Sequence, residues 1–66
     1  MMKKGIDIRQ ILGLKVRELR NKKRLSFQEL SKMTGLSVSY LNEIEKGKKY
    51  PKGDKILQLA EALDVS

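Results

Sequence analysis

The chain has 66 residues, enough for one small domain with a modest core. It contains no cysteine and no histidine, so disulfide bonds, thiolate metal sites and histidine chemistry are excluded. Fifteen Lys and Arg residues against eight Asp and Glu residues give a net charge of +7. This basic excess favours a polyanionic partner, namely DNA, RNA or an acidic membrane surface, although a lysine-rich surface on an ordinary soluble domain also accounts for it.

The first predicted helix follows a short charged segment. Residues 1–7 contain Gly5 and are expected to be flexible, and Asp7 is a candidate N-cap because its carboxylate can accept hydrogen bonds from free backbone N–H groups. From Ile8 onward, apolar residues recur at steps of three and four, which predicts an amphipathic helix of about 15 residues ending near residues 23 and 24. Its apolar positions are Ile8, Leu12, Val16 and Leu19.

Two short helices come next. Ser26 is an N-cap candidate, and Glu29 completes the capping-box pattern three residues later. The second helix is expected to end at Gly35, because glycine adopts the left-handed conformation at little cost. Ser37 is the N-cap candidate of the third helix, which we expect to run to Lys46, just before another glycine.

The second and third helices meet the requirements of a helix-turn-helix unit. Ser31 provides the small residue needed where the helices cross, and Gly35 provides the residue that tolerates a positive φ angle in the turn. Leu30 is expected to point inward from the second helix, and Leu41 and Ile44 from the third. Each feature is weak alone, but together they favour this motif.

Polar side chains then occupy the outward face of the third helix, and a face of this kind suits the major groove of DNA. Asn42 is suited to bidentate hydrogen bonds with adenine, Glu43 to accepting one from the amino group of cytosine, and Val38 to touching a thymine methyl group. A cluster of cations follows the helix, where phosphates would pass; it consists of Lys46, Lys48, Lys49 and Lys52, with Tyr50 among them. The other interpretation is an ordinary solvated helix face.

Asp54 marks the start of the last predicted helix. The apolar positions of this helix are Ile56, Leu57, Leu59, Ala60 and Leu63. Because no segment is a candidate β-strand, the predicted fold class is all-α, with four helices, short connections and one shared core.

An ion pair is also predicted between the first and third helices. Arg20 lies four residues after Val16, and Glu45 lies four residues after Leu41, so each charge flanks an apolar stripe. A half-buried charge needs a partner, and pairing these two would fix the third helix against the first. The alternative is that each side chain is exposed and solvated.

The sequence resembles the phage-repressor and Cro type of helix-turn-helix domain, also called the XRE family. The segments that carry the resemblance are VRELR (16–20), LSFQELSKMTGLSVSYLNEIEKGKKYP (25–51) and ILQLAEALDVS (56–66). The resemblance implies a compact lambda-repressor-like bundle of four or five helices over residues 8–66, with the third helix reading the major groove. A fifth helix, usual in the family, is expected beyond Ser66, as part of a longer regulator.

By position, the resemblance implies three sets of residues. The base-facing positions are Ser37, Val38, Ser39, Asn42 and Glu43. The positions facing the DNA backbone are Tyr40, Lys46, Lys48 and Lys49, and the family's structural ion pair corresponds to Arg20 and Glu45. The sequence departs from the family at Phe27, where a glutamine often helps to hold a phosphate, and this puts the usual clamp in doubt.

These observations support two functional hypotheses. The first is sequence-specific binding of double-stranded DNA by a transcriptional regulator, as a homodimer on two half-sites; the second is an antitoxin-like or adaptor module that acts through protein contacts. Residues 15–24 hold only two apolar residues, too few for a membrane-surface helix, and RNA binding is disfavoured because no aromatic platform is present. We expect no catalysis, cofactor, metal or membrane partner, and a cytoplasmic location.

Overall fold

The computed structural model describes residues 7–65. In this range it contains four α-helices, which are α1 (Ile8–Lys22), α2 (Phe27–Thr34), α3 (Val38–Glu45) and α4 (Asp54–Ala62). No strand occurs among the described residues, and the predicted all-α class is confirmed. Of the segment 1–7 that was expected to be flexible, only Asp7 lies inside the described range, and it caps α1.

The first three helices begin at their predicted caps. The Ser26 hydroxyl accepts a hydrogen bond from the backbone N–H of Glu29 at 3.0 Å, and the Glu29 carboxylate accepts one from the N–H of Ser26 at 2.8 Å. Asp7 and Ser37 cap α1 and α3 with their own side chains. The N-cap of α4 is Gly53, which has no side chain to accept a hydrogen bond.

Helices α1, α3 and α4 end in the same way, with a left-handed residue followed by a hydrogen bond that reaches back five residues. The left-handed residues are Arg24, Gly47 and Asp64, with φ angles of 58°, 79° and 61°. The next N–H group then donates to a carbonyl five residues earlier. These bonds run from Leu25 to Arg20, from Lys48 to Glu43 and from Val65 to Ala60, each at 3.0 Å. This Schellman arrangement satisfies carbonyls that a helix end leaves free and reverses the chain direction.

The core lies between the four helices. Its buried apolar residues are Val16, Leu30, Leu36, Leu41, Ile44, Leu59 and Leu63. The inward orientation predicted for Leu30, Leu41 and Ile44 is confirmed, because all three are fully buried. This burial fixes which face of α3 remains open.

Two apolar residues that were predicted to face the core are instead exposed. Ile8 is 60% exposed because it lies at the start of α1, whose first buried residue is Gly13. Leu57 is 61% exposed because it precedes the buried Leu59 by two residues, which is about 200° around a helix. Ile56, three residues before Leu59, lies on the inner side and is half-buried.

Gly13 allows α1 to approach α3 closely. A Cβ atom at this buried position would collide with the carbonyl oxygen of Ile44 and would lie 3.0 Å from that of Glu45. A glycine inside a helix ordinarily weakens it. In the structure, the missing side chain lets the backbone of α1 contact the last turn of α3. Arg20 follows about two turns later on the same side of α1, within reach of Glu45.

Candidate nucleic-acid interface

The turn between α2 and α3 is fastened by backbone and side-chain hydrogen bonds. Gly35 has a φ angle of 79°, and its N–H donates to the carbonyl of Ser31 at 2.8 Å. The buried Thr34 hydroxyl donates to the carbonyl of Leu30 at 2.8 Å and accepts from the N–H of Leu36 at 3.1 Å. The role of Thr34 was not predicted from the sequence. Its position directly before the helix-ending glycine is the signal that could have indicated it. These hydrogen bonds hold the turn that orients α3 relative to α2.

The five residues predicted to face DNA bases lie away from the core, on or beside the open side of α3. Ser37 and Ser39 are exposed, and Val38, Asn42 and Glu43 are half-buried. Together they offer hydroxyl, amide, carboxylate and methyl groups. These are the groups that read donors, acceptors and thymine methyls at base edges in a major groove.

Ser37 also has a structural task at the start of α3. Its hydroxyl oxygen accepts a hydrogen bond from the backbone N–H of Tyr40 at 3.0 Å. A hydroxyl that accepts in this way still has its own O–H to donate. Ser37 can therefore hold the first turn of α3 and donate to a phosphate or a base at the same time.

Tyr40 lies beside a cation that sequence reasoning did not include. The ring of Tyr40 is half-buried against the core, and the ammonium of Lys55 lies 6.0 Å from its centroid. Lys55 belongs to the first turn of α4, fifteen positions along the chain, so no local pattern connects it with Tyr40. A cation–π contact of this length is weak, but it places another positive charge next to a residue predicted to face the DNA backbone.

The loop between α3 and α4 presents its lysines to solvent. Lys46, Lys48, Lys49 and Lys52 are all exposed. Pro51 is fully buried and fastens the loop to the core. The loop is thus an anchored segment with exposed, cationic side chains beside the C-terminal end of α3.

One of these lysines lies next to the acidic residue of the reading face. The ammonium of Lys49 is 3.9 Å from a carboxylate oxygen of Glu43, and both side chains are about half exposed. The chain reversal at Gly47 brings them together, because it turns the following residues back along α3. The structure therefore joins a predicted base-facing residue to a predicted phosphate-facing one, a pairing that the sequence did not indicate.

Arg20 and Glu45 form the ion pair that their spacing suggested. The Nε and Nη2 atoms of Arg20 donate to the two carboxylate oxygens of Glu45 at 2.6 and 3.1 Å, and Nη1 donates to the carbonyl of Leu25 at 2.8 Å. The side chains are 14% and 2% exposed, so Glu45 is more deeply buried than expected. The hydrogen bond to Glu45 raises the pKa of Arg20 from its ordinary value.

Two further side chains contact this pair. The ring centroid of Phe27 lies 4.2 Å from the guanidinium carbon of Arg20, an arrangement in which a planar cation stacks favourably on an aromatic ring. Arg17 lies 3.6 Å from the Glu45 carboxylate but is 58% exposed. Phe27 thus stabilises the ion pair at the position where the family often has a phosphate-binding glutamine.

Residues 7–65 contain no group of three or more His, Cys, Asp or Glu side chains placed to hold a metal ion. None of the described helices is long and apolar enough to cross a membrane.

Comparison with known proteins agrees with this geometry. The helix-turn-helix family HTH_3 matches residues 16–66. The crystal structure of the restriction-modification controller protein C.AhdI from Aeromonas hydrophila superposes with a TM-score of 0.84, at 37% identity and over 89% of each chain. A protein of Sinorhizobium fredii, the uncharacterized HTH-type transcriptional regulator y4dJ, is 34% identical over 92% of this chain and 79% of its own length. The control protein C.SmaI of Serratia marcescens is 33% identical over 92% of this chain and 73% of its own.

The matched region contains α2, the turn, α3 and α4, together with the part of α1 that carries Arg20. The resemblance inferred from the sequence is therefore confirmed, and the chain belongs to the XRE-type helix-turn-helix family.

Proposed function

We propose that this protein binds double-stranded DNA in a sequence-specific manner and acts as a transcriptional regulator, with α3 in the major groove. The observation that carries this proposal is the two-sided character of α3. Leu41 and Ile44 are fully buried, whereas the opposite side presents Ser39, Asn42 and Glu43. A helix held in this way can enter a groove without any loss of core contacts.

The cations around α3 supply the attraction to the DNA backbone. Lys46, Lys48 and Lys49 follow its C-terminal end, and Tyr40 and Lys55 lie together at another point of its surface. Contacts between such groups and phosphates give affinity and orientation, whereas contacts to base edges give sequence preference. The proposed base-facing and backbone-facing residues therefore have separable effects.

The names of the relatives support a regulatory role. C.AhdI is described as a controller protein of a restriction-modification system, and y4dJ as a transcriptional regulator. We propose that this chain also acts in the cytoplasm and binds as a homodimer to two half-sites about one helical turn apart. Sedimentation of the free and DNA-bound protein measures this stoichiometry.

Selection from a random duplex library at two salt concentrations tests the proposed function. Enrichment of a palindrome with half-sites about ten base pairs apart is the expected result. Salt-sensitive binding without any enrichment would show that the lysines contact phosphates but that α3 reads no sequence. The function as a sequence-specific regulator would then be wrong, and the protein-interaction module would replace it.

A further inference from the structure

Glu43 is a negative charge on the surface that approaches phosphates. The other carboxylate of α3, Glu45, is buried and held by Arg20. Glu43 is half exposed, and among residues 7–65 its one ion-pair partner is the ammonium of Lys49 at 3.9 Å. An ion pair of this length between exposed groups is weak in water and exchanges readily. Glu43 and Lys49 can therefore separate when a better partner for either charge arrives.

We propose that Glu43 and Lys49 act together as an electrostatic selector between DNA sequences, an inference that rests on the DNA-binding function proposed above. In the free protein and on a mismatched sequence, Glu43 retains Lys49 and repels the DNA backbone. On a matched sequence, a cytosine amino group donates a hydrogen bond to Glu43 in the major groove. Lys49 is then released to a neighbouring phosphate, so base recognition and phosphate binding are gained in one step.

The backbone holds Glu43 and Lys49 close enough to each other for this exchange. The N–H of Lys48 donates to the carbonyl of Glu43 at 3.0 Å, which ties the start of the loop to α3. Lys49 is the next residue, and its flexible four-carbon stem lets the ammonium move by several ångströms while the backbone stays in place. Within residues 7–65, Lys46 and Lys48 make no ion pair, so they contact phosphates whatever the sequence.

The choice of base edge decides the state of the pair. Cytosine presents an amino donor in the major groove, and adenine presents an amino donor beside an acceptor nitrogen, whereas guanine presents two acceptors and thymine one acceptor and a methyl group. Opposite an acceptor, the Glu43 carboxylate gains nothing and keeps its repulsion of phosphates. DNA with guanine or thymine at this position therefore loses one base contact and one phosphate contact together.

Replacement of the carboxylate by an amide tests the selector. Glu43→Gln should tighten binding to random duplex by roughly two- to fivefold, and should steepen its salt dependence by about one phosphate contact. The preference for the selected sequence should fall at one base pair. The matched control is Glu18→Gln, an exposed glutamate of α1 that lies 3.6 Å from Lys15, because it makes the same change of net charge away from α3.

A second comparison isolates Lys49. Lys49→Met should weaken binding to the selected duplex more than binding to random duplex, whereas Lys48→Met should weaken both alike. In the Glu43→Gln background, Lys49→Met should weaken binding to the selected duplex and to the random duplex equally. All four side chains are exposed or half exposed, so each variant should unfold near the wild-type temperature, as circular dichroism will check.

Two results would overturn the selector. One is that Glu43→Gln changes both affinities only as much as Glu18→Gln does. The other is that Lys49→Met weakens selected and random duplex equally in the wild-type background. Failure of the proposed function has a different signature, because the wild-type protein itself would then enrich no sequence.

Discussion

The guanidinium of Arg20 and the carboxylate of Glu45 join α1 to the last turn of α3 through two hydrogen bonds of 2.6 and 3.1 Å. Leu41 and Ile44 determine which side of α3 faces the core, and this pair holds the C-terminal end of the helix in place. Since Glu45 is almost fully buried, the pair cannot be exchanged for contacts with water. The orientation of the proposed reading helix therefore depends on a contact outside the reading face.

Removal of Glu45 should destabilise the protein strongly. Glu45→Ala leaves Arg20 enclosed by Phe27 and the Leu25 carbonyl without its counter-charge, and the loss of one member of a buried pair costs about 3–5 kcal/mol. Urea denaturation measures the change in the free energy of unfolding. Glu18→Ala, on the exposed side of α1, is the control and should stay within about 0.5 kcal/mol of wild type. Equal unfolding midpoints for the two variants would show that the pair contributes nothing.

Addition of one methyl group at Gly13 should also destabilise the fold. In a free helix, alanine is more favourable than glycine by about 1 kcal/mol. Here the added Cβ atom would meet the backbone carbonyls of Ile44 and Glu45, which cannot rotate away as a side chain could. We expect Gly13→Ala to lower the free energy of unfolding by about 1–3 kcal/mol. A higher melting temperature would mean that helix propensity outweighs the contact between α1 and α3.

A glycine at position 24 should stabilise the end of α1. Arg24 adopts a φ angle of 58°, which is unfavourable for a residue with a side chain. Arg24→Gly relieves this strain, but glycine also has greater freedom in the unfolded chain, which opposes folding. The net effect should be to raise the free energy of unfolding by about 0.5 kcal/mol. Asn21→Gly places the same residue inside the helix, where it should destabilise. If calorimetry finds that both substitutions lower the melting temperature, the conformation of Arg24 does not cost the protein stability.

Replacement of Phe27 by glutamine should lower the stability of the fold and raise its affinity for DNA. Phe27→Gln removes the ring that packs on Arg20 and the core, so we expect the free energy of unfolding to fall by about 1–2 kcal/mol. The new amide can donate to a phosphate, so binding to any duplex should tighten severalfold. Phe27→Leu is the control, because it also removes the ring but supplies no donor. Equal DNA affinities of the two variants would show that the start of α2 lies away from the DNA backbone.

The sequence predicted the helices well because their ends carry local signals. Ser26 and Glu29, three positions apart, form a capping box that the local sequence specifies, and Gly35 ends α2 as expected. Periodicity identified Leu41 and Ile44, but it misplaced Leu57, since a run of apolar residues in α4 does not indicate which of them faces inward.

Contacts between distant positions were harder to predict. Arg20 and Glu45 could be paired because both flank apolar stripes, so the packing of those stripes brings them together. The contact between Phe27 and Arg20 depends on where α2 begins relative to α1. The contact between Lys49 and Glu43 depends on the chain reversal at Gly47. Such contacts follow from tertiary geometry and leave no periodic trace in one sequence.

If α3 reads bases while the adjoining lysines hold phosphates, substitutions in these two groups should have different effects on the same DNA. Affinities of wild type, Asn42→Ala and Lys46→Ala should be measured for the selected duplex and for its single-base variants over a range of salt. Asn42→Ala should remove discrimination at one base pair, worth roughly 1–3 kcal/mol. Lys46→Ala should weaken all sequences alike and reduce the salt slope by about one. If neither substitution alters DNA binding, α3 does not read the bases and the adjoining lysines do not hold the phosphates.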